Sequence, residues 1–410
     1  MAGELQQAEI VVIGGGAVGC AVAYSLAKAG KTDVLLVEKE PTMAAVTTPQ
    51  AAGLVGQVRN SVERTKLAMW SVATFSELQR DDKVTPGWRQ VGSLRIALCQ
   101  ERVEEFQRMK VVADEAGLEC DFIDNRAAHE KWPMMNFDRV LAVLWCPTDG
   151  YLQPSDLTMS YVAQARRLGV RFQTKTAVTN VVLKGGRVCG VETDSGPIDC
   201  EMVINAAGAH AAHVAQSVGL ELPILPVRHE YFITVHADGL EPSLPVLRIP
   251  DSTLYLRAEI NSLLCGGWEP AAMSTEPSRF TLATSPPPID PDWDVLGHFA
   301  ELLAPEIPQV EQLGIRSVFR GWPTFTPDGR FIIGQSSKVP GFVMAGGCNA
   351  HGVSGSAGIG RHVVESILEP NPSPYVRSLS PDRFDREQWD WPTARRQAQH
   401  VYETYYELGH

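Results

Sequence analysis

Three glycines and one acid carry the chemistry most plainly readable in this chain. Gly14, Gly16 and Gly19 follow the apolar run Ile10-Val11-Val12-Ile13, and Glu38 stands 19 residues beyond Gly19, closing a second apolar run, Val34-Leu35-Leu36-Val37. In a strand–turn–helix–strand unit the first glycine permits the sharp turn. The second lets a pyrophosphate approach bare backbone, and the third lets the helix pack against the sheet. The anion then rests on free N–H groups at the positive end of a helix over 17–29, which opens with Ala17 and Val18. Glu38, followed by Lys39, can accept hydrogen bonds from ribose hydroxyls. The unit describes an adenine dinucleotide and does not choose between FAD and NAD.

The elements around this unit are small or apolar in turn. Thr47-Thr48-Pro49-Gln50-Ala51-Ala52-Gly53-Leu54 suits backbone lying flat against a ligand. Helical spacing of apolar residues predicts a helix over 61–78, and further helices are expected over 101–116, 156–168 and 211–218. Met202-Val203-Ile204-Asn205 reads as a buried strand. Short runs at 91–98, 230–235, 253–257 and 262–266 fit an antiparallel sheet with turns between them. Gly346-Gly347-Cys348-Asn349-Ala350-His351-Gly352 precedes a helix starting near Ser356, a second place where free N–H groups can face an anion.

Composition narrows the function class. At 410 residues and a formal charge of −12, the chain is long enough for two domains, and it has no basic run of the kind nucleic-acid binding uses. No apolar stretch approaches the ~20 residues of a membrane span, and no signal peptide precedes the first strand, so a cytoplasmic protein is expected. The eight cysteines show neither a Cys-x-x-Cys pair nor metal-ligand spacing, and no metal is expected.

Taken together, the N-terminal fingerprint, Asn205-Ala206-Ala207-Gly208, Tyr255-Leu256-Arg257, Thr326-Pro327-Asp328-Gly329 and the 346–352 loop resemble FAD-dependent amine oxidoreductases of the D-amino-acid oxidase superfamily. Within it, the chain is most similar to the sarcosine and dimethylglycine dehydrogenases and oxidases, over roughly 9–370. The resemblance implies an α/β fold in which a Rossmann-like FAD-binding domain (7–85, 148–220 and 320–370) interleaves with a substrate domain built on an antiparallel sheet (86–147 and 221–319). A C-terminal extension follows at 371–410. It implies FAD contacts at Gly14, Gly16, Ala17, Val18, Gly19, Glu38, Lys39, Thr47, Thr48, Ala52, Gly53, Leu54, Val178, Gly208, Gly347, Asn349, His351, Gly352, Val353 and Ser354. The implied reaction passes a hydride from a carbon beside an amine nitrogen to the flavin; the imine then hydrolyses, releasing formaldehyde from N-methyl substrates.

Residue by residue, the resemblance makes His229, Tyr255, Arg257 and His351 the catalytic candidates. A neutral imidazole at His229 can take a proton from an ammonium substrate. Read without the family, His229 and Tyr255 are better taken as a hydrogen-bonded strand histidine and a half-buried strand aromatic. A carboxylate is best held by the planar fork of an arginine, and the candidates are Arg59, Arg257 and Arg320. The relatives' flavin-attaching histidine and cysteine correspond to Gln50 and approximately Gly321, so noncovalent FAD is expected. Two oxidase lysines correspond to Ser354 and Leu264, which leaves dioxygen or an electron-transfer protein or quinone as acceptor.

Three alternatives stay open. An NAD-dependent dehydrogenase shares the fingerprint but leaves the 346–352 loop without a task. A flavin-binding subunit of a larger amine dehydrogenase complex would not turn over alone. An oxidase of glycine or a cyclic imino acid needs the same clamp and base. Aromatics of the extension (Trp389, Trp391, Tyr402, Tyr405, Tyr406) are expected to pack on the body, with a homo-oligomer or partner subunit as the other use for them.

Overall fold

The computed structural model describes residues 6–384 and 386–406. A six-stranded sheet runs in the order Ile332–Gln335, Phe342–Gly346, Met202–Asn205, Ile10–Ile13, Val34–Val37, Arg171–Gln173. All junctions are parallel except the outermost, between Ile332–Gln335 and Phe342–Gly346. Ile10–Ile13 is buried at every position, as a central parallel strand covered on both faces must be. Ile10 and Val12 enter one core, and Val11 and Ile13 enter another.

On the first face, the helices Ala17–Lys28, Val62–Leu78 and Ser356–Leu368 lie close together because glycines line their contact. A Cβ at Gly360 would come within 2.8 Å of the Ala21 carbonyl oxygen, and one at Gly358 within 2.4 Å of the Leu67 carbonyl oxygen. This close packing sets where the Ser356–Leu368 helix begins, and with it the loop that carries His351 to Ser354.

The second sheet has eight strands in the order Ile315–Gly321, His229–Thr234, Leu263–Gly267, Leu254–Ala258, Val246–Ile249, Ser93–Ala97, Ala142–Cys146, Asp121–Ile123. Its junctions are antiparallel with one exception: Val246–Ile249 pairs parallel to Ser93–Ala97, two strands that come from separate segments of the chain. Residues alternate between its faces. Leu94, Ile96, Leu247, Leu254 and Leu256 pack with Leu296 and Phe299 of the helix Trp293–Leu303. Arg95, Arg248, Tyr255 and Tyr231 fall on the opposite face by the same two-residue period.

The C-terminal helix Trp391–Glu403 starts at Asp390, whose side chain accepts the Thr393 N–H, and it buries Ala394, Ala398 and Tyr402. These pack against Leu225, Val227, Trp268 and Phe325. Farther along, Arg102 donates to the Tyr406 carbonyl oxygen at 2.6 Å. Of the expected 371–410 extension, the described part therefore lies on the body; 407–410 are outside the described residues. Among the described residues no helix is long and apolar enough to cross a membrane, and no group of three or more His, Cys, Asp or Glu could hold a metal.

Gly19 is the tightest of these contacts, since a Cβ there would stand 1.9 Å from the Gly14 carbonyl oxygen. Its helical backbone tolerates alanine, so the clash alone acts. Gly19→Ala is expected to destabilise the fold by about 3 kcal/mol, read as a lower midpoint of urea unfolding; a wild-type midpoint would contradict this packing.

Candidate active site

The nucleotide cradle is made by backbone. Gly14 has φ +111, open to glycine alone, and a Cβ there would lie 2.5 Å from the Ala206 carbonyl oxygen. The Ala17–Lys28 helix starts from an extended Gly16, with no side-chain cap from that residue and no acid in its first turn, so its positive end can receive an anion. Thr48 Oγ1 accepts the Ala17 N–H at 3.1 Å. Glu38 holds the turn in shape: its two carboxylate oxygens accept the N–H groups of Gly15 at 2.5 Å and Glu40 at 2.8 Å. Burial pushes its carboxyl above the usual range.

A cavity of about 150 Å³ opens here, lined by Gly14, Gly16, Glu38, Lys39, Thr47, Thr48, Val178 and Gly208. Thr47 also lines a second cavity of about 410 Å³, with Ala52, Gly53, Leu54, Arg59, His229, Tyr255, Asn349, His351, Val353 and Ser354. Two cavities that share a wall residue suit a dinucleotide whose ring end reaches the larger one. The glycine cradle, a helix start without an acid in its first turn, and the 47–54 segment, which runs from a 3-10 turn at Thr48–Gln50 to the short strand Leu54–Val55, all fit FAD.

Ala17, Val18, Gly19, Gly347 and Gly352 stand behind these walls. Gly347 holds φ +59 with Thr326 Cγ2 2.5 Å from any Cβ it would carry, and Val18 Cγ2 would lie 3.6 Å from a Cβ at Gly352. They shape the loops that form the lining.

His229, itself half-buried, sits in a chain of hydrogen bonds. Tyr402 donates its hydroxyl proton to Glu269, so its oxygen accepts from His229 Nδ1 at 2.9 Å. That leaves Nε2 as the acceptor toward the Tyr255 hydroxyl, 2.6 Å away. The network thus assigns a neutral imidazole with its lone pair turned to Tyr255. Desolvation alone draws the His229 pKa down to about 3, and burial pushes the Tyr255 phenol well up. His351 is also neutral: Nδ1 lies 2.8 Å from the Asn349 carbonyl oxygen and Nε2 2.9 Å from the Tyr405 hydroxyl. Burial, reinforced by Arg59 and Arg64, holds its pKa well below the usual histidine value.

Of the three arginine candidates only Arg59 lines the cavity. Arg257 shares a sheet face with Tyr255, yet its Nε donates to the Ala52 carbonyl oxygen at 2.8 Å, and its guanidinium lies over the Tyr151 ring and pairs with Glu259. It ties Ala52 to the sheet, with Nε and NH1 both engaged. Arg320 is likewise turned to backbone: Nε donates to the Ile289 carbonyl oxygen at 2.9 Å and NH1 to that of Val318 at 3.3 Å.

Sequence reasoning missed Arg64, Arg95, Arg248, Trp268, Tyr402 and Tyr405, all but Tyr402 on the cavity wall. Arg95 and Arg248 had a signal, since each is a lone charge inside an apolar strand, Leu94-Arg95-Ile96 and Leu247-Arg248-Ile249. The tail aromatics had none: Tyr405 stacks on Trp268 with ring centroids 3.8 Å apart, across more than 130 residues of chain.

Against known proteins, the sequence profile of the FAD dependent oxidoreductase family, DAO, matches residues 9–366. The chain is 30% identical over 381 residues to 4-methylaminobutanoate oxidase (formaldehyde-forming) of Paenarthrobacter nicotinovorans, covering 92% of this chain and 46% of that protein. It is 31% identical over 397 residues to the mitochondrial dimethylglycine dehydrogenase of Rattus norvegicus, covering 95% and 46%. The chain thus spans about half the length of the curated relatives it matches. The crystal structure of L-proline dehydrogenase from P. horikoshii superposes with a TM-score of 0.83 at 25% identity, covering 93% of this chain and 99% of that one.

Tyr255 can lie against His229 because its partner across the sheet is Gly266, where a Cβ would fall 2.2 Å from the phenol oxygen. Gly266→Ala should displace the ring and cost about 1–3 kcal/mol, a fall of several degrees in Tm. An unchanged Tm would show that the phenol does not lie there.

Proposed function

The chain belongs to the DAO family of FAD dependent oxidoreductases, and from that premise we propose that it oxidises the C–N bond of a small amino acid. N-methylated acids of the sarcosine and dimethylglycine type are the preferred substrates. The two sheets are read as a FAD-binding domain and a substrate domain with the reaction between them. Bound FAD supplies the two-electron acceptor for the hydride equivalent. The resulting imine takes up water, and an N-methyl substrate leaves as the demethylated amine and formaldehyde.

The observation that carries this reading is the neutral His229–Tyr255 pair, its phenol buried, on a cavity that shares Thr47 with the glycine cradle. Hydride loss needs a free nitrogen lone pair. Tyr255 can accept a proton from the substrate ammonium while passing its own to His229 Nε2, and Tyr402 and Glu269 hold the imidazole in the tautomer that receives it. Arg59 is the carboxylate clamp in this reading. Trp268, stacked on His229 with ring centroids 4.7 Å apart, keeps water from the imidazole.

Noncovalent FAD accords with Gln50 and Gly321 on the cavity wall, since neither has a side chain that attaches to flavin. A second reading, a flavin-binding subunit that needs a partner for turnover, is favoured by Tyr405, which reaches His351 inside the cavity. Steady reduction of an artificial dye by the isolated chain with any amine would exclude it.

Two outcomes are expected. Acid precipitation should leave the flavin in the supernatant; flavin in the pellet would mean a covalent bond. In anaerobic mixing, an N-methyl amino acid should bleach the visible flavin band, and His229→Gln should slow bleaching by about 100-fold or more while retaining FAD. Because His229 titrates near pH 3, it is neutral above that value and contributes no acidic limb to the pH profile above about pH 5. Bleaching by His229→Gln at the wild-type rate would overturn the role of the pair.

A further inference from the structure

One row of paired residues crosses the eight-stranded sheet: Tyr231, Gly266, Tyr255, Arg248, Arg95. Residues opposite one another in paired strands point to the same face. The row therefore passes from the aromatic wall beside His229 directly to two adjacent guanidinium groups. Arg59 faces them from the loop above. Its NH1 donates to the Val58 carbonyl oxygen at 2.9 Å, and Arg95 NH2 donates to that same oxygen at 3.1 Å, so two cations converge on one acceptor. Arg64 lines the same end of the cavity.

Acids reach these charges only from a distance, with Asp149 and Glu105 acting on Arg95 without pairing with it. Among the described residues no carboxylate lies within 4.0 Å of Arg59, Arg64, Arg95 or Arg248, whereas the neighbouring Arg102 is paired with both Glu105 and Asp251. Arg95 and Arg248 are only 7% and 8% exposed, and Arg95 Nε and Arg248 NH1 are buried with no hydrogen-bond partner among the described residues. Bare backbone at Gly56 makes room for the second of them, since a Cβ there would sit 3.1 Å from Arg248 NH2. Burying like charges without partners is costly. Desolvation and the neighbouring arginines draw Arg59 down to about 10 and Arg95 below its usual value.

A single carboxylate is satisfied by one bidentate guanidinium. Four guanidinium groups with no ion-pair partner among the described residues exceed what one carboxylate uses, and the two least exposed lie beyond Tyr255 as seen from the aromatic wall. We propose that the cavity takes a dianion: the substrate is a secondary or N-methyl amino acid with two carboxylates, of the N-methylaspartate or N-methylglutamate type, whose second carboxylate sits between Arg95 and Arg248. This rests on the amine-oxidation reading and narrows its substrate class.

The test has two arms, both on the FAD-loaded protein. In the binding arm, glutarate and butyrate are compared by thermal shift, because they are the di- and monocarboxylate of the same propane skeleton. Glutarate should raise Tm by about 2 °C or more where butyrate does not, with the shift shrinking as salt rises and vanishing in Arg248→Met and Arg95→Met. In the reaction arm, N-methyl dicarboxylates should bleach the flavin at about tenfold lower concentration than sarcosine, and that preference should collapse in the same variants. Equal shifts from glutarate and butyrate, or bleaching that favours sarcosine, would overturn the proposal while leaving amine oxidation intact. A glutarate shift with no bleaching by any amine would keep the dianion site and sink the amine reading. If neither variant folds, the two wild-type comparisons still decide.

Discussion

Backbone brought against backbone where no side chain fits is the constraint on which this structure depends. Gly14 meets Ala206, Gly19 meets Gly14, and Gly360 meets Ala21, each closer than a Cβ allows. The first contact joins the N-terminal strand and turn to the end of Met202–Asn205, nearly 200 residues away in the chain. The last seats the Ser356–Leu368 helix, and therefore the loop bearing His351, against the helix that starts the nucleotide cradle. One set of contacts thus sets both ends of the binding region.

The larger sheet divides its two faces between stability and chemistry. Its outer face joins an apolar core with the Trp293–Leu303 helix. That leaves the inner face free to carry groups a core would reject: a phenol, a strand histidine at the rim, and two arginines. Because the inner face is covered by the 47–59 segment and the C-terminal aromatics, these polar groups are shielded from water as well. Shielding explains why His229 and His351 are neutral, and why unpaired guanidinium groups there would attract anions strongly.

Arginines on one sheet face separate by what their donors already hold. Arg257 has a carbonyl, a carboxylate and an aromatic ring, and it fastens Ala52. Arg248, on the adjacent strand and the same face, has no carboxylate within pairing distance among the described residues. The C-terminal segment belongs to the site in the same concrete sense. Tyr402 completes the hydrogen bonding of His229, and Tyr405 that of His351.

The local sequence by itself determined the dinucleotide cradle, because turn, helix start and acid all lie within 30 residues and their roles follow from backbone conformation and spacing. It determined most helices and strands for a similar reason: the period of apolar residues is a local property. Resemblance to known motifs added His229 and Tyr255, but not their tautomer or their neighbours. What a charged side chain does is set by its partners, and those come from distant segments. So only the tertiary structure could assign Arg257 to the Ala52 backbone, bring Arg95 and Arg248 side by side through a parallel pairing of separate segments, and deliver Tyr402 and Tyr405 to the two histidines. Spacing along the chain carries no information about which of these groups are left without a partner once the chain is folded.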